Sequence, residues 1–119
     1  GRSKQVRVRL IPPPETPARN ETQLSGQLPP FGGATVANVN PALAEELGIE
    51  PEGGVIVMSL QRRSFAHRAG LAPGDLLLAL NGRDITSVRS LETELGRPTS
   101  QWTYSVKRGG RVIQRSIQL

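Results

Sequence analysis

Residues 65–85 read FAHRAGLAPGDLLLALNGRDI and carry the strongest signals for the fold of this chain. Gly70 follows a short run of small residues, where a helix needs a left-handed residue to end it. Ala72–Asp75 has Pro second and Gly third, which is the pattern of a type II turn. Residues 76–80 are apolar, and Asn81-Gly82 is a strong hairpin signal. The stretch predicts a short helix, a tight turn, a buried strand and a hairpin, and it contains no catalytic group.

The composition limits what kind of protein this is. A chain of 119 residues predicts one domain, with room for an attached tail. The absence of Cys excludes a disulfide framework and any thiolate metal site. The chain starts with Gly and has no apolar run long enough for a signal peptide or a membrane span. We therefore expect a fragment of a longer protein.

The net charge of +5 raises the question of an anionic partner. Nucleic-acid binding usually combines a basic patch with aromatic residues that stack on bases. Here the basic residues are spread along the chain, and the few aromatic residues do not interleave with them. Solvated surface charge is the better interpretation, so nucleic-acid or membrane-surface binding ranks below the other hypotheses.

The first 27 residues differ in character from the rest. Residues 1–10 (GRSKQVRVRL) resemble the last ten residues (GRVIQRSIQL), which predicts that they are the last strand of an upstream copy of the same domain. A generic basic edge strand is the alternative. Residues 11–27 begin with three prolines after Ile11 and are then polar, so we interpret them as a linker that does not pair into a sheet. The folded domain is predicted to span 28–119.

Residues 33–60 predict two strands around a short helix. Gly33–Val39 suits an edge strand, and residues 54–60 are nearly continuously apolar, as in a central strand covered on both faces. Asn40 can cap a helix that has Leu43 and Leu47 on one face and ends at Gly48. The adjacent Glu45 and Glu46 are interpreted as its solvated face.

The last third of the chain predicts one more helix and a hairpin. Ser64 can cap the short helix near residue 66, and Ser87 can cap a second helix with Val88, Leu91 and Leu95 on one face. Trp102 and Tyr104 alternate with polar residues up to Gly109-Gly110, a second hairpin signal, and residues 111–119 form the return strand. The fold class is therefore mainly β with two to three short helices (α+β).

Several motifs together resemble a known family. The order A-G-L-x-x-G-D-x-L-x-x-L-N-G resembles the heart of a PDZ domain, a peptide-binding module. Residues 31–36 (FGGATV) and 40–48 (NPALAEELG) are similar to PDZ domains of the HtrA/Do family of periplasmic trypsin-like serine proteases with chaperone activity. The resemblance covers 28–119 and implies a partly open β-barrel or sandwich in the bacterial, permuted form. With the upstream strand, it implies the second of two tandem PDZ domains.

The resemblance also implies a binding site. A ligand peptide would pair with the exposed edge of the first strand, lie against the helix at 88–95, and place its terminal carboxylate in a nest of N–H groups before that strand. The loop departs from the family's apolar-Gly-apolar pattern at Gly33, and Pro29 and Pro30 offer no N–H. The implied peptide-binding residues are Leu28, Phe31, Gly32, Gly33, Ala34, Thr35, Val36, Val88, Leu91 and Leu95.

Other chemically suggestive residues have simpler explanations. His67 is the only His, and no G-x-S-x-G motif accompanies it, so we expect no catalytic triad in this chain. Asp75 is expected to accept main-chain or Arg hydrogen bonds as part of the fold, and Asp84 to belong to a hairpin. One His without Cys makes a metal site improbable, and no cofactor is implied. Trp102 and Tyr104 are expected in the core.

Two function classes follow from these observations. The first is a non-catalytic peptide-binding regulatory domain of an HtrA/Do-like serine endopeptidase of the periplasm or bacterial envelope. Its partners would be unfolded or C-terminal peptides and the upstream PDZ and protease domains, with possible homo-oligomerisation of the parent protein. The alternative is a structural module with a degenerate groove that mediates assembly or interdomain contacts.

Overall fold

The chain folds into an open, mostly antiparallel sheet flanked by short helices, as seen in a computed structural model that describes residues 13–25 and 28–118. The predicted fold class is confirmed, and the sheet is open rather than closed into a barrel. The predicted strand at residues 1–10 lies outside the described residues. The strands are β1 (Thr22–Gln23), β2 (Ala34–Asn38), β3 (Val55–Leu60), β4 (Leu76–Leu80), β5 (Arg83–Asp84), β6 (Gln101–Arg108) and β7 (Arg111–Gln118), and the helices are α1 (Pro41–Leu47), α2 (Phe65–Arg68) and α3 (Val88–Leu95). Neighbouring strands in the sheet follow the order β1-β2-β3-β4-β6-β7, and β5 pairs with β4.

The stretch at 65–85 folds as predicted. Gly70 has φ +92° directly after the helical turn, in the region that favours glycine. The N–H of Asp75 donates to the carbonyl of Ala72 at 3.1 Å and closes the turn in which Gly74 has φ +94°. Asn81-Gly82 connects β4 to β5, and both residues have positive φ, as a type I′ turn requires. Each connection has the residue types that its backbone conformation favours.

Asp75 has the structural role that was predicted for it. Its carboxylate is fully buried and accepts the N–H of Ala72 at 2.9 Å. Arg108 in β6 donates from Nε to Oδ1 and from Nη2 to Oδ2, each at 2.7 Å, and also from Nη2 to the carbonyl of Gly70. The hydrogen bonds to Asp75 raise the pKa of Arg108. This ion pair joins the turn before β4 to the neighbouring strand β6.

The sheet carries a core on each face, and β3 contributes to both. Val55 and Val57 belong to the larger buried cluster, whereas Ile56 belongs to the smaller one under α1. The prediction of a central strand covered on both faces is confirmed. Trp102 and Tyr104 are buried in the larger cluster, as expected. The larger cluster sits between the sheet, α2 and α3.

Helix α1 begins as predicted, but only its first turn is buried against the rest of the protein. The Asn40 side chain accepts the N–H of Leu43 at 2.7 Å, and Gly48 ends the helix with φ +69°. Leu43 and Leu47 were predicted to lie on one face of the helix, but only Leu43 is buried, since Leu47 is 41% exposed and Leu43 only 1%. The reason is that α1 buries only its first turn, at residues 42–44, while residues 45–50 face outward.

The interpretation of residues 11–27 as a segment that does not pair into a sheet is wrong for Thr22–Gln23. These residues form β1, which pairs antiparallel with β2, Thr22 opposite Val36 and Gln23 opposite Thr35. The prolines that suggested a linker all precede this strand, so they do not remove its N–H groups. The predicted domain boundary at residue 28 stays a prediction.

Candidate functional site

The candidate site is the edge of β2 that faces away from β3. The sequence predicted an exposed edge strand here, and that prediction is wrong, because β1 occupies the edge. The N–H of Leu24 donates to the carbonyl of Ala34 at 2.8 Å, and the N–H of Asn38 donates to the carbonyl of Arg19 at 2.7 Å. Unpaired strand edges attract further strands because their N–H and C=O groups lack partners. In this chain the strand that pairs with the edge is β1 of the same chain.

The loop before β2, residues 28–33, has few free donors. Pro29 and Pro30 have no N–H, and the N–H of Gly32 donates to the carbonyl of Leu28 at 2.8 Å. The N–H of Gly33 donates to the carbonyl of Leu24 at 3.0 Å. The loop therefore uses the Gly33 N–H to hold an internal carbonyl of the chain, at the place where the sequence predicted a nest for a terminal carboxylate.

Gly33 departs from the expected apolar residue for a steric reason. Its φ is +93°, and a Cβ added there would lie 2.3 Å from Cβ of Ser64. Ser64 cannot move away, because its Oγ caps α2 by accepting the N–H of His67 at 3.1 Å and donates to the carbonyl of Gln61 at 2.7 Å. Close packing of the loop against the start of α2 thus requires glycine at this position.

Helix α3 forms the wall opposite β2. A capping box starts it: the Ser87 side chain accepts the N–H of Ser90 at 3.0 Å, and Ser90 accepts the N–H of Ser87 in return. Val88 and Leu91 are fully buried, and Leu95 is half-buried. The predicted caps and apolar face of α3 are present.

The structure brings most of the predicted site residues together. Ala34 and Val36 of β2 and Val88 and Leu91 of α3 belong to one buried cluster, and Leu95 packs against it. Thr35 is half-buried on the other face of β2, and Leu28, the first residue of the loop, is 57% exposed. Whether these residues bind a ligand stays a prediction.

Phe31 is placed differently from the other loop residues. Its ring is 1% exposed and meets the Tyr104 ring edge to face, with 5.1 Å between the centroids. Tyr104 in turn donates its hydroxyl hydrogen to the carbonyl of Ala69. Phe31 therefore anchors the loop in the core, so its contribution to the site is to position the backbone of Gly32 and Gly33.

Three residues of the site were missed from the sequence. Leu24 is 7% exposed and belongs to the same buried cluster as Val88 and Leu91. Asn38 accepts the N–H of Val88 on Oδ1 at 2.7 Å and donates from Nδ2 to the carbonyl of Ala18 at 2.9 Å. Asn40, predicted only as a helix cap, also donates from Nδ2 to the carbonyl of Pro17 at 2.9 Å. In the sequence, the available signal for this part of the site was Leu24, an isolated aliphatic residue after a run of polar ones.

A charged cluster holds the segment before β1 against α1. Arg19 donates to both carboxylate oxygens of Glu15 and to both of Glu46. The pKa values of both Glu residues are lowered, chiefly by the hydrogen bonds from Arg19, and the pKa of Arg19 is raised by the same bonds, Glu46 first. Glu46 was expected to be merely solvated; it is exposed, yet it is paired across 27 positions of sequence.

Neither a cluster of metal-ligating side chains nor a membrane-spanning helix is present in the part of the chain that the structure describes. Within residues 13–25 and 28–118, no three His, Asp or Glu side chains gather closely enough to hold a metal ion. Over the same ranges, no helix has the length and apolarity needed to cross a membrane.

Comparison with known proteins identifies related domains. The family described as PDZ domain matches residues 29–96. A probable periplasmic serine endoprotease, DegP-like, of Chlamydia pneumoniae is 39% identical over 64 residues, which cover 53% of this chain and 13% of the relative. The periplasmic serine endoprotease DegP of Escherichia coli K12 is 25% identical over 112 residues, covering 87% of this chain and 24% of the relative. The chain thus spans a quarter or less of the length of these proteins.

Two solved structures share the fold. The HtrA-type protease AlgW, solved with a decapeptide, has a TM-score of 0.65 and 28% identity, covering 72% of this chain and 27% of that one. The HtrA3 PDZ domain, bound to a phage-derived ligand (FGRWV), has a TM-score of 0.61 and 24% identity, covering 72% of this chain and 80% of that one. The second likeness is one of fold alone.

Proposed function

Because the chain belongs to the PDZ domain family and is homologous to the PDZ domains of HtrA and DegP proteases, we propose that it is a non-catalytic domain that binds extended peptides by strand addition. One observation carries this proposal: the outer edge of β2 takes an antiparallel strand and buries the aliphatic side chain of Leu24 beside it. Main-chain pairing supplies affinity in this mode of recognition, and apolar pockets supply specificity.

The roles of the individual residues follow from their positions. The main chain of Ala34, Thr35 and Val36 pairs with the ligand, and Gly33 donates its N–H to a ligand carbonyl or carboxylate oxygen. Val88, Leu91 and Leu95 form the wall of the pocket for an aliphatic side chain. Leu28 borders the entrance, while Phe31 and Gly32 hold the loop in place.

The names of the relatives suggest a setting for this domain. The matched proteins are named periplasmic serine endoproteases, and this chain aligns with a small part of them. We place the domain in an HtrA/DegP-like serine endopeptidase of the periplasm or bacterial envelope, as the second of two PDZ domains. There it recognises unfolded or C-terminal peptides and presents them to a protease domain for protein quality control.

Peptide titration followed by NMR tests the proposal. A peptide with a hydrophobic C-terminus and its amidated twin are added separately to the 119-residue chain. We expect saturable shifts at the amides of Ala34 and Val36 with both peptides, because the loop offers few N–H groups to a carboxylate. A much stronger response to the free acid would mean that the nest is formed. Saturable binding of neither peptide contradicts the proposal.

A second candidate function is a structural module whose groove is closed. The pairing of β1 with β2 favours it, since a permanently filled edge leaves no place for a ligand. In that case the domain serves assembly of the parent protein or contacts between its domains. Absence of peptide binding together with concentration-dependent association in sedimentation experiments would support this candidate over the first.

A further inference from the structure

We infer that residues 18–24 are a built-in ligand of the β2 groove, which an incoming peptide must displace; the inference rests on the proposed peptide-binding function. The resident segment occupies the groove in the way that strand addition requires. It runs antiparallel to β2, and its main chain is bonded at both ends, through Leu24 to Ala34 and through Arg19 to Asn38. It therefore competes directly for the groups that would pair with a ligand.

The side chains of this segment show what kind of ligand the groove takes. Leu24 is 7% exposed, whereas Asn20, Glu21 and Gln23 are exposed and Thr22 is half-buried. One aliphatic side chain thus enters the core, and the other residues of the segment contact the groove mainly through their main-chain atoms. The carbonyl of Leu24 accepts the Gly33 N–H, and the chain continues beyond it to Ser25. The ligand class is an internal extended segment with one Leu-like side chain, and a free carboxylate is not required.

The segment is held by surface contacts outside the groove. Arg19 joins Glu15, which lies just before the segment, to Glu46 of α1, and Asn40 donates to Oε2 of Glu15 at 2.7 Å. The N–H of Ala42 in α1 donates to the carbonyl of Pro14 at 3.1 Å. Exposed ion pairs contribute little stability individually and are weakened by salt. The contacts therefore favour the closed arrangement without making it permanent, which is what a displaceable ligand needs.

Attachment in the same chain makes the segment an effective competitor. A tethered ligand acts at an effective concentration on the order of millimolar, so peptides that bind weakly are excluded. Releasing the segment should consequently increase the apparent affinity for added peptide, whereas fixing it in place should abolish binding. These opposite effects distinguish a competitor from a strand that is merely part of the fold.

A reversible cross-link tests the inference in the full chain. Gln23 and Thr35 are direct partners in the antiparallel register, and the protein contains no Cys, so the variant Q23C/T35C offers a single disulfide. Directly opposed residues of paired strands lie within the Cα distance that a disulfide spans. The probe is the acetylated and amidated peptide ARNETQLS, a copy of residues 18–25, titrated by NMR. We expect binding to the reduced form and at least tenfold weaker binding to the oxidised form.

A second variant weakens the closed arrangement through the Arg19 side chain, whose ion pairs with Glu15 and Glu46 lie outside the groove. R19E turns attraction to Glu15 and Glu46 into repulsion, and its apparent affinity for the same peptide should rise by at least threefold over the unmodified chain. The matched control is R83E, which changes the charge equally on an exposed side chain whose neighbour is Glu94. It should bind like the unmodified chain.

The outcomes separate this inference from the proposed function. Equal binding by the oxidised and reduced forms overturns the built-in ligand and leaves peptide binding intact. Binding by neither form, nor by R19E, overturns both. Loss of peptide binding on oxidation, with recovery on reduction, supports both the built-in ligand and the proposed function. A higher apparent affinity in R19E but not in R83E assigns the competition to residues 18–24.

Discussion

Asn38 at the end of β2 accepts the N–H of Val88 at the start of α3, with 2.7 Å between Oδ1 and the main-chain nitrogen. The two residues are 50 positions apart in sequence and define the width of the groove between strand and helix. The Nδ2 of the same side chain donates to Ala18, so one amide joins both groove walls to the resident segment.

Replacing Asn38 by Ala should lower the free energy of unfolding by about 1–3 kcal/mol, because the N–H of Val88, a fully buried residue, loses its partner. Asn38→Asp retains an acceptor at the helix N-terminus and should cost less. Urea denaturation of the three proteins measures the difference. Equal losses in the two variants would show that the bond to Val88 is unimportant.

Replacing Gly33 by Ala should be strongly destabilising, since the added Cβ would meet Cβ of Ser64 at 2.3 Å in addition to straining the backbone at φ +93°. Gly74→Ala is the matched control: φ is +94° there, and no atom lies within 4 Å of the added Cβ. Backbone strain alone costs about 1–3 kcal/mol, and overpacking adds about 1–3 kcal/mol. Thermal and urea unfolding should therefore rank G33A well below G74A, and equal stabilities would refute the steric argument.

Replacing Arg108 by Met should cost about 3–5 kcal/mol, because it leaves the carboxylate of Asp75 buried without its cation. The double variant D75N/R108M removes the charge as well and should recover part of the loss. Chemical denaturation of the single and double variants provides the measurement. If R108M alone unfolds with the stability of the unmodified chain, the ion pair has no structural role.

Acid should release the resident segment before the domain unfolds. The lowered pKa values of Glu15 and Glu46 mean that their interaction with Arg19 is fully present above the usual Glu range. It is lost as the pH falls below the usual Glu range and through the lowered pKa values. The amide signals of Leu24 and Asn38 should then change in an NMR titration, while that of Leu77 in the core is retained.

The control for this titration is the variant E46Q, which removes one of the two titrating partners. In E46Q, residues 18–24 should be held more weakly at neutral pH, because Arg19 has lost one carboxylate partner. Their amide signals should then change over a narrower pH range. An identical acid response in E46Q and the unmodified chain would show that the release has another origin.

Much of the fold could be predicted because its determinants are local. Asn40 and Ser64 precede the helices that they cap, and Asn81-Gly82 needs only its own backbone preference to turn the chain. The run at 54–60 is central because its first half, Val55 to Val57, is apolar at every position and must be covered on both faces. The larger part of the groove was found in the same way, since Val88 and Leu91 are placed by the period of their own helix.

The occupant of the groove could not be predicted, because it depends on partners that are distant in sequence. Thr22–Gln23 is too short to carry a strand signal, and it pairs because β2 presents unpaired main-chain groups there. Leu24 is buried in the larger cluster, whose members come from distant parts of the chain, and Arg19 pairs with Glu46 across 27 positions of sequence. The kind of module follows from local sequence, since caps, turns and apolar periods act over a few residues. The closed groove depends on tertiary structure, because edge pairing and ion pairing require surfaces that only the folded chain brings together.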